Sequence, residues 1–100
     1  MSAKGYLVVE AKVSDPEAYA RYRTLAAEAV EKFGGRYLVR GGPVEILEGP
    51  WTAPERLVIV EFDSVDRAQA FYASSEYQAA CAERAGAAVM NMLVVAGHQP

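Results

Sequence analysis

One cysteine, one histidine and one tryptophan are all that this 100-residue chain holds of those types, and their scarcity removes whole classes of chemistry. A lone Cys81 cannot build an internal disulfide framework. A lone His98, two residues from the C-terminus, offers no cluster for zinc or haem; the sequence calls for no cofactor and no metal. Nucleotide loops and nucleophile triads are missing too. Gly34-Gly35 and Gly41-Gly42 do not open a helix after a strand, so they serve backbone geometry rather than phosphate binding. Acidic residues outnumber basic ones, 13 to 10, for a net charge of −3. With no basic run or basic–aromatic stripe, neither nucleic acid nor an anionic membrane surface is an expected partner. No apolar run is long enough to span a bilayer, and residues 1–6 lack the apolar stretch of a secretory signal. A cytoplasmic protein is the expectation. Without linker, repeat or low-complexity segment, residues 1–100 read as one domain around one core.

What is present alternates between strand and helix patterns. Residues 5–13 form a first strand. Ser14 or Asp15 then caps a helix with Pro16 in its first turn and Glu17 at its positive end. Tyr19, Tyr22, Ala26, Ala29, Val30 and Phe33 share one face of that helix, and Glu28 and Lys32 are spaced for an exposed pair. Gly34-Gly35 stops it. Residues 36–48 read as a second strand bent at Gly41-Gly42-Pro43, residues 49–54 as a turn, and residues 56–63 as a third strand. Asp63 or Ser64 caps a second helix whose face carries Val65, Ala68 and Tyr72, with Phe71 beside them. A box at residues 75–78 starts a short extra helix from Glu76 towards Arg84. Residues 88–96 are the last strand. The order βαββαβ is the ferredoxin-like plait, an α+β fold with a four-stranded antiparallel sheet and its helices on one face.

A sheet with one wet face should alternate apolar and polar residues. These strands do not. Leu7, Val9 and Ala11 can face the helices while Tyr6 and Val8 remain on the other side; Val58, Val60 and Phe62 leave Leu57 and Ile59 over. The last strand is apolar on both sides apart from Asn91. Strands ~4.8 Å apart and ~20 Å long give a second apolar face of about 400 Å², a size that marks an interface. The expectation is a homodimer joined sheet to sheet; the chain's own extra helix is the alternative cover.

Certain segments carry a family likeness: residues 4–6, 15–19, 34–42 and 47–49, Trp51, and residues 54–62, 70–72 and 74–78. Together they resemble the small bacterial family called domain of unknown function 1330. The resemblance implies a dimeric α/β-barrel in which two plaits pack their sheets around a central space. That fold hosts cofactor-free monooxygenases, haem-degrading enzymes, isomerases and plain binding modules, so it implies no single reaction.

Two charges lie inside apolar strands, Arg40 and Glu61, and an isolated charge there is expected to be paired or functional. Aligning the first and third strands sets Tyr6 opposite Glu61. Counting back from the 49–54 turn brings Arg40 to the same place, within the residue or two that the glycine bend controls. Tyr6, Arg40 and Glu61 then form a row on the barrel face, with Tyr37, Val39, Val60 and Phe62 turned to the helices. Glu10 shares that face towards the opposite end, and Trp51 is placed to lid the barrel mouth or pack at a dimer edge. Arginine offers a planar fork for a carboxylate or enolate oxygen, and a partly dry glutamate can serve as a base. Three readings follow: binding of a small, partly apolar, anionic molecule; a cofactor-independent enzyme, monooxygenase- or isomerase-like, using Glu61 as base and Arg40 as oxyanion partner; or a structural or partner-binding dimer in which the pair sets strand register. Tyr19, Tyr22 and Tyr72 are expected in the core, Met90 and Met92 at an interface, His98 in the tail, and Cys81 on a helix without a cationic neighbour.

Overall fold

The structure, a computed structural model, describes residues 3–99. Seven elements follow one another: β1 (Gly5–Val13), α1 (Pro16–Lys32), β2 (Arg36–Arg40), β3 (Arg56–Phe62), α2 (Val65–Ala73), α3 (Ser75–Glu83) and β4 (Ala88–Ala96). The strands form one antiparallel sheet in the order β2-β3-β1-β4. A Cα envelope only 16 Å thick leaves room for the sheet and a single helical layer, so one sheet face stays open. No helix among the described residues is long and apolar enough to cross a membrane.

Local chemistry explains the boundaries. Asp15, not Ser14, caps α1 by accepting from the Ala18 amide at 3.3 Å, while the Ser14 hydroxyl donates to the Ala87 carbonyl at 3.1 Å. Gly34 ends α1 in the left-handed region at φ 75°. Ser64 caps α2, and Ser74 caps α3 by accepting from the Tyr77 amide at 3.1 Å. The extra helix therefore starts at Ser75, one residue before the sequence suggests. Lys32 pairs with Glu76 of α3 rather than with Glu28, because α1 and α3 lie side by side.

The core is the helix-facing side of the sheet against all three helices: Leu7, Val9, Ala11, Val58, Val60 and Phe62 beneath Tyr19, Tyr22, Ala29, Val30, Phe71 and Tyr77. Phe62 is wholly buried, its ring 5.1 Å from that of Phe71. Phe71, not Tyr72, is the inward residue of α2; Tyr72 keeps 48% of its surface exposed. Met90 and Met92 pack against this core from β4 instead of lying on the open face.

The largest correction concerns β2. It ends at Arg40, not Glu48, because the chain leaves the ladder at Gly41, whose φ is 78°. A bulge between Tyr37 and Val39 then flips the later side chains, so Val39 faces Ile59 on the open side and Arg40 faces Val58 on the helix side.

Candidate functional site

The charges that the sequence brings together are separated by the thickness of the sheet. Tyr6 lies opposite Glu61, as counting suggests, and its hydroxyl donates to Oε2 of that carboxylate at 2.9 Å. The basic partner, however, is Arg36. It faces Glu61 across β2 and β3, and its Nη2 donates to Oε1. The Arg36 hydrogen bond, then the Tyr6 one, hold the Glu61 carboxyl below its ordinary range, and Glu61 in turn raises the Tyr6 phenol. A carboxylate that already accepts from two donors is a poor proton acceptor. Its plain effect is to tie β2, β3 and β1 together on the open face. A countable signal pointed to Arg36: Glu61 is next to last in β3, so an antiparallel β2 must meet it at its beginning.

Glu10 sits on the same open face, towards the far end, where it accepts from the Asn91 amide at 2.9 Å. Trp51, 70% exposed, flanks a shallow groove with Val8, Glu10, Leu57, Asn91 and Leu93. Neither residue reaches the Tyr6–Glu61 row. His98 is exposed beyond the end of β4. Cys81 does have a cationic neighbour: Arg84, one turn on, places Nη2 3.5 Å from its sulfur.

Arg40 belongs to a different place, the cleft between α1 and the sheet. Its guanidinium lies over the Tyr37 ring, 4.4 Å from the centroid. Arg56 enters the same cleft from the start of β3, 5.9 Å from the Tyr19 ring centroid, and Arg23 joins from α1. No ion pair among the described residues involves any of these three arginines. The Nε of Arg56 is buried without an acceptor, an arrangement that ordinarily has a cause. Room for this guanidinium depends on Gly41: a Cβ there would stand 2.2 Å from Arg56 Nη1.

Behind the arginines the walls are apolar and aromatic, with Val9, Val58, Tyr19, Tyr37 and Met90 among them, around a cavity of about 40 Å³. That volume holds about three waters or the short end of a small molecule. Tyr22 and Tyr77, 2.8 Å apart hydroxyl to hydroxyl, line it as well. Burial pushes the Tyr22 phenol up to about 12, and Tyr77 up further. Burial also raises the Tyr37 phenol. All three stay neutral donors through the physiological range. Sequence reasoning missed this cleft because Arg23 reads as an exposed helix residue and Arg56 as a strand boundary; only the fold brings them to one mouth.

The comparisons agree with this architecture. The profile of the family described as domain of unknown function DUF1330 matches residues 4–98, and the chain belongs to that family. No curated protein matches it. Among solved structures it resembles a protein of unknown function from Rhodopseudomonas palustris, with TM-score 0.74 and 21% identity over 100% of this chain and 86% of that one. A dimeric, ferredoxin-like protein of unknown function from Bacteroides fragilis gives 0.54 and 17%, over 93% and 95%. A cofactor-independent oxygenase from Streptomyces nogalater gives 0.55 and 11%, over 99% and 97%. At these identities the likeness establishes the ferredoxin-like fold.

Proposed function

We propose that this member of the DUF1330 family binds a small, partly apolar carboxylate in the cleft between α1 and the sheet. Arg40 and Arg56 grip the anionic group, Arg23 stands at the mouth, and the short apolar end enters among the tyrosines. One observation carries the reading: Arg56 holds a buried Nε with no acceptor, beside two further guanidiniums that, among the described residues, no carboxylate neutralises. An unmade hydrogen bond at such a donor costs about 1–3 kcal/mol, and a ligand carboxylate can satisfy it with the bidentate geometry that guanidinium favours. Enzymatic use of Glu61 as a base has less support, since Arg36 and Tyr6 already occupy its carboxylate.

The test is thermal shift with propionate, whose chain is short enough for the cavity, against its uncharged analogue propionamide. Propionate is expected to stabilise the wild type in a saturable way and propionamide is not; Arg40→Met and Arg56→Met lose the effect. Equal response to both probes, or equal response of all three proteins, contradicts the reading.

We also infer that the protein works as a homodimer joined through its open sheet face. Support comes from Tyr6, Val8, Leu57, Ile59, Leu93 and Val95, an apolar face that no helix or strand among the described residues covers, and from the dimeric state of the Bacteroides fragilis protein. Sedimentation equilibrium is expected to give twice the 10.8 kDa chain mass; a monomer at tens of micromolar contradicts it.

A further inference from the structure

The two edges of the sheet differ in kind. At one edge β2 is short, carries a bulge and begins and ends with arginine, features that keep an edge from recruiting a stranger. At the other, β4 runs for nine residues, AVMNMLVVA, without a charge, and among the described residues nothing pairs with its outer side. Its free amides and carbonyls form a template for one more strand.

The chain carries a segment suited to that template. Residues 43–48, Pro-Val-Glu-Ile-Leu-Glu, read as strand from sequence, with Val44 and Ile46 half-buried and Glu45 and Leu47 exposed between and beyond them. Yet they join no ladder. Among the described residues no loop or turn backbone hydrogen bond involves residues 42–55; the last one made is from the Gly41 amide to the Leu57 carbonyl, at 2.8 Å. Leu47 is 90% exposed, an unusual state for a leucine in a segment of strand composition. Pro43 stands at the segment's start, where a missing amide disturbs no ladder.

We propose that residues 43–48 of each copy add as a strand to the outer edge of β4 in a second copy. The inference rests on the dimer reading and specifies how that dimer is held. Area argues for it. The open face offers about 400 Å² per copy, whereas a stable interface buries about 800 Å² per partner. Face-to-face packing alone supplies roughly half; the arm and the edge it covers make up the difference and bury Leu47. Two-fold symmetry performs the exchange twice, since each copy has one arm and one edge. Main-chain hydrogen bonds give the affinity of such strand addition, and the alternating side chains set its register.

The test compares wild type with Ile46→Pro, which deletes an amide donor in a segment that holds no internal ladder, and with Ala53→Pro, in the same loop outside the arm. Circular dichroism checks that all three fold. By sedimentation equilibrium Ile46→Pro is expected to raise the dimer dissociation constant at least tenfold and Ala53→Pro less than twofold. Amide exchange over residues 44–48 and 88–96 is expected to slow as wild-type concentration rises through the dissociation constant. A dimer that Ile46→Pro does not weaken, with arm amides exchanging at one rate in monomer and dimer, overturns the arm while leaving the sheet-face dimer standing. A monomeric wild type overturns both.

Discussion

The Tyr6 hydroxyl stands 2.9 Å from Oε2 of Glu61, and the other oxygen of that carboxylate takes the Arg36 guanidinium. One acidic group thus bridges three neighbouring strands on the face that lacks helices. Its consequence is a pH dependence with a definite sign. Because the Glu61 pKa is depressed in the fold, its contribution is present above the ordinary carboxylate value of 4.5 and is lost as pH falls through the lower folded value. The melting temperature of wild type is expected to exceed that of Glu61→Gln at pH 7, with the gap closing below about pH 4.5. A gap that stays constant down to pH 3 contradicts this role.

Tyr22 and Tyr77 predict an effect at the opposite limb. The folded pKa of Tyr22 lies at about 12 against an ordinary 10.0. A raised pKa gives stability that is complete below 10 and declines as pH rises towards 12. The loss from Tyr22 is roughly 2–3 kcal/mol. Denaturant melts between pH 9 and 12, read beside the ultraviolet tyrosine titration, should show some phenols ionising only as the protein unfolds. Tyr22→Phe is expected to cost about 1–2 kcal/mol at pH 7, since the Tyr77 hydroxyl is then left with the Met92 sulfur at 3.9 Å.

Gly41 links backbone to cleft. Its φ of 78° is the left-handed region, where a side chain costs about 1–2 kcal/mol, and the added Cβ would displace the Arg56 guanidinium. Gly41→Ala should therefore lower stability by about that amount and weaken the propionate response together. Lost stability with an undiminished response would show that Arg56 does not depend on this glycine.

Much of the fold was legible because its signals are local. Asp15 and Pro16 start α1, Gly34 ends it, and the last strand spans the residues that its apolar run suggests. Tyr6 opposite Glu61 was legible too, since β1 and β3 are regular and pair without interruption. Arg40 was not. Its side depends on one extra residue between Tyr37 and Val39 and on where the chain leaves the ladder, and both are settled by tertiary packing rather than by any local pattern. The cleft was hidden for a related reason: Arg23, Arg40 and Arg56 come from three elements, and no spacing in the chain announces their convergence.

Arg56→Met carries a further expectation. Removing a buried donor without an acceptor, at similar side-chain volume, should leave the ligand-free protein unchanged or more stable by about 1 kcal/mol. That direction separates a residue kept for binding from one kept for structure. A loss of stability on urea denaturation would mark Arg56 as structural.

Calorimetric titration of propionate into wild type and into the Arg40→Met/Arg56→Met double variant separates a built carboxylate site from none. One saturable site per chain is expected in the wild type and at least a tenfold weaker one in the folded double variant, the scale of one lost charge-assisted contact. Identical isotherms for the two proteins would contradict it.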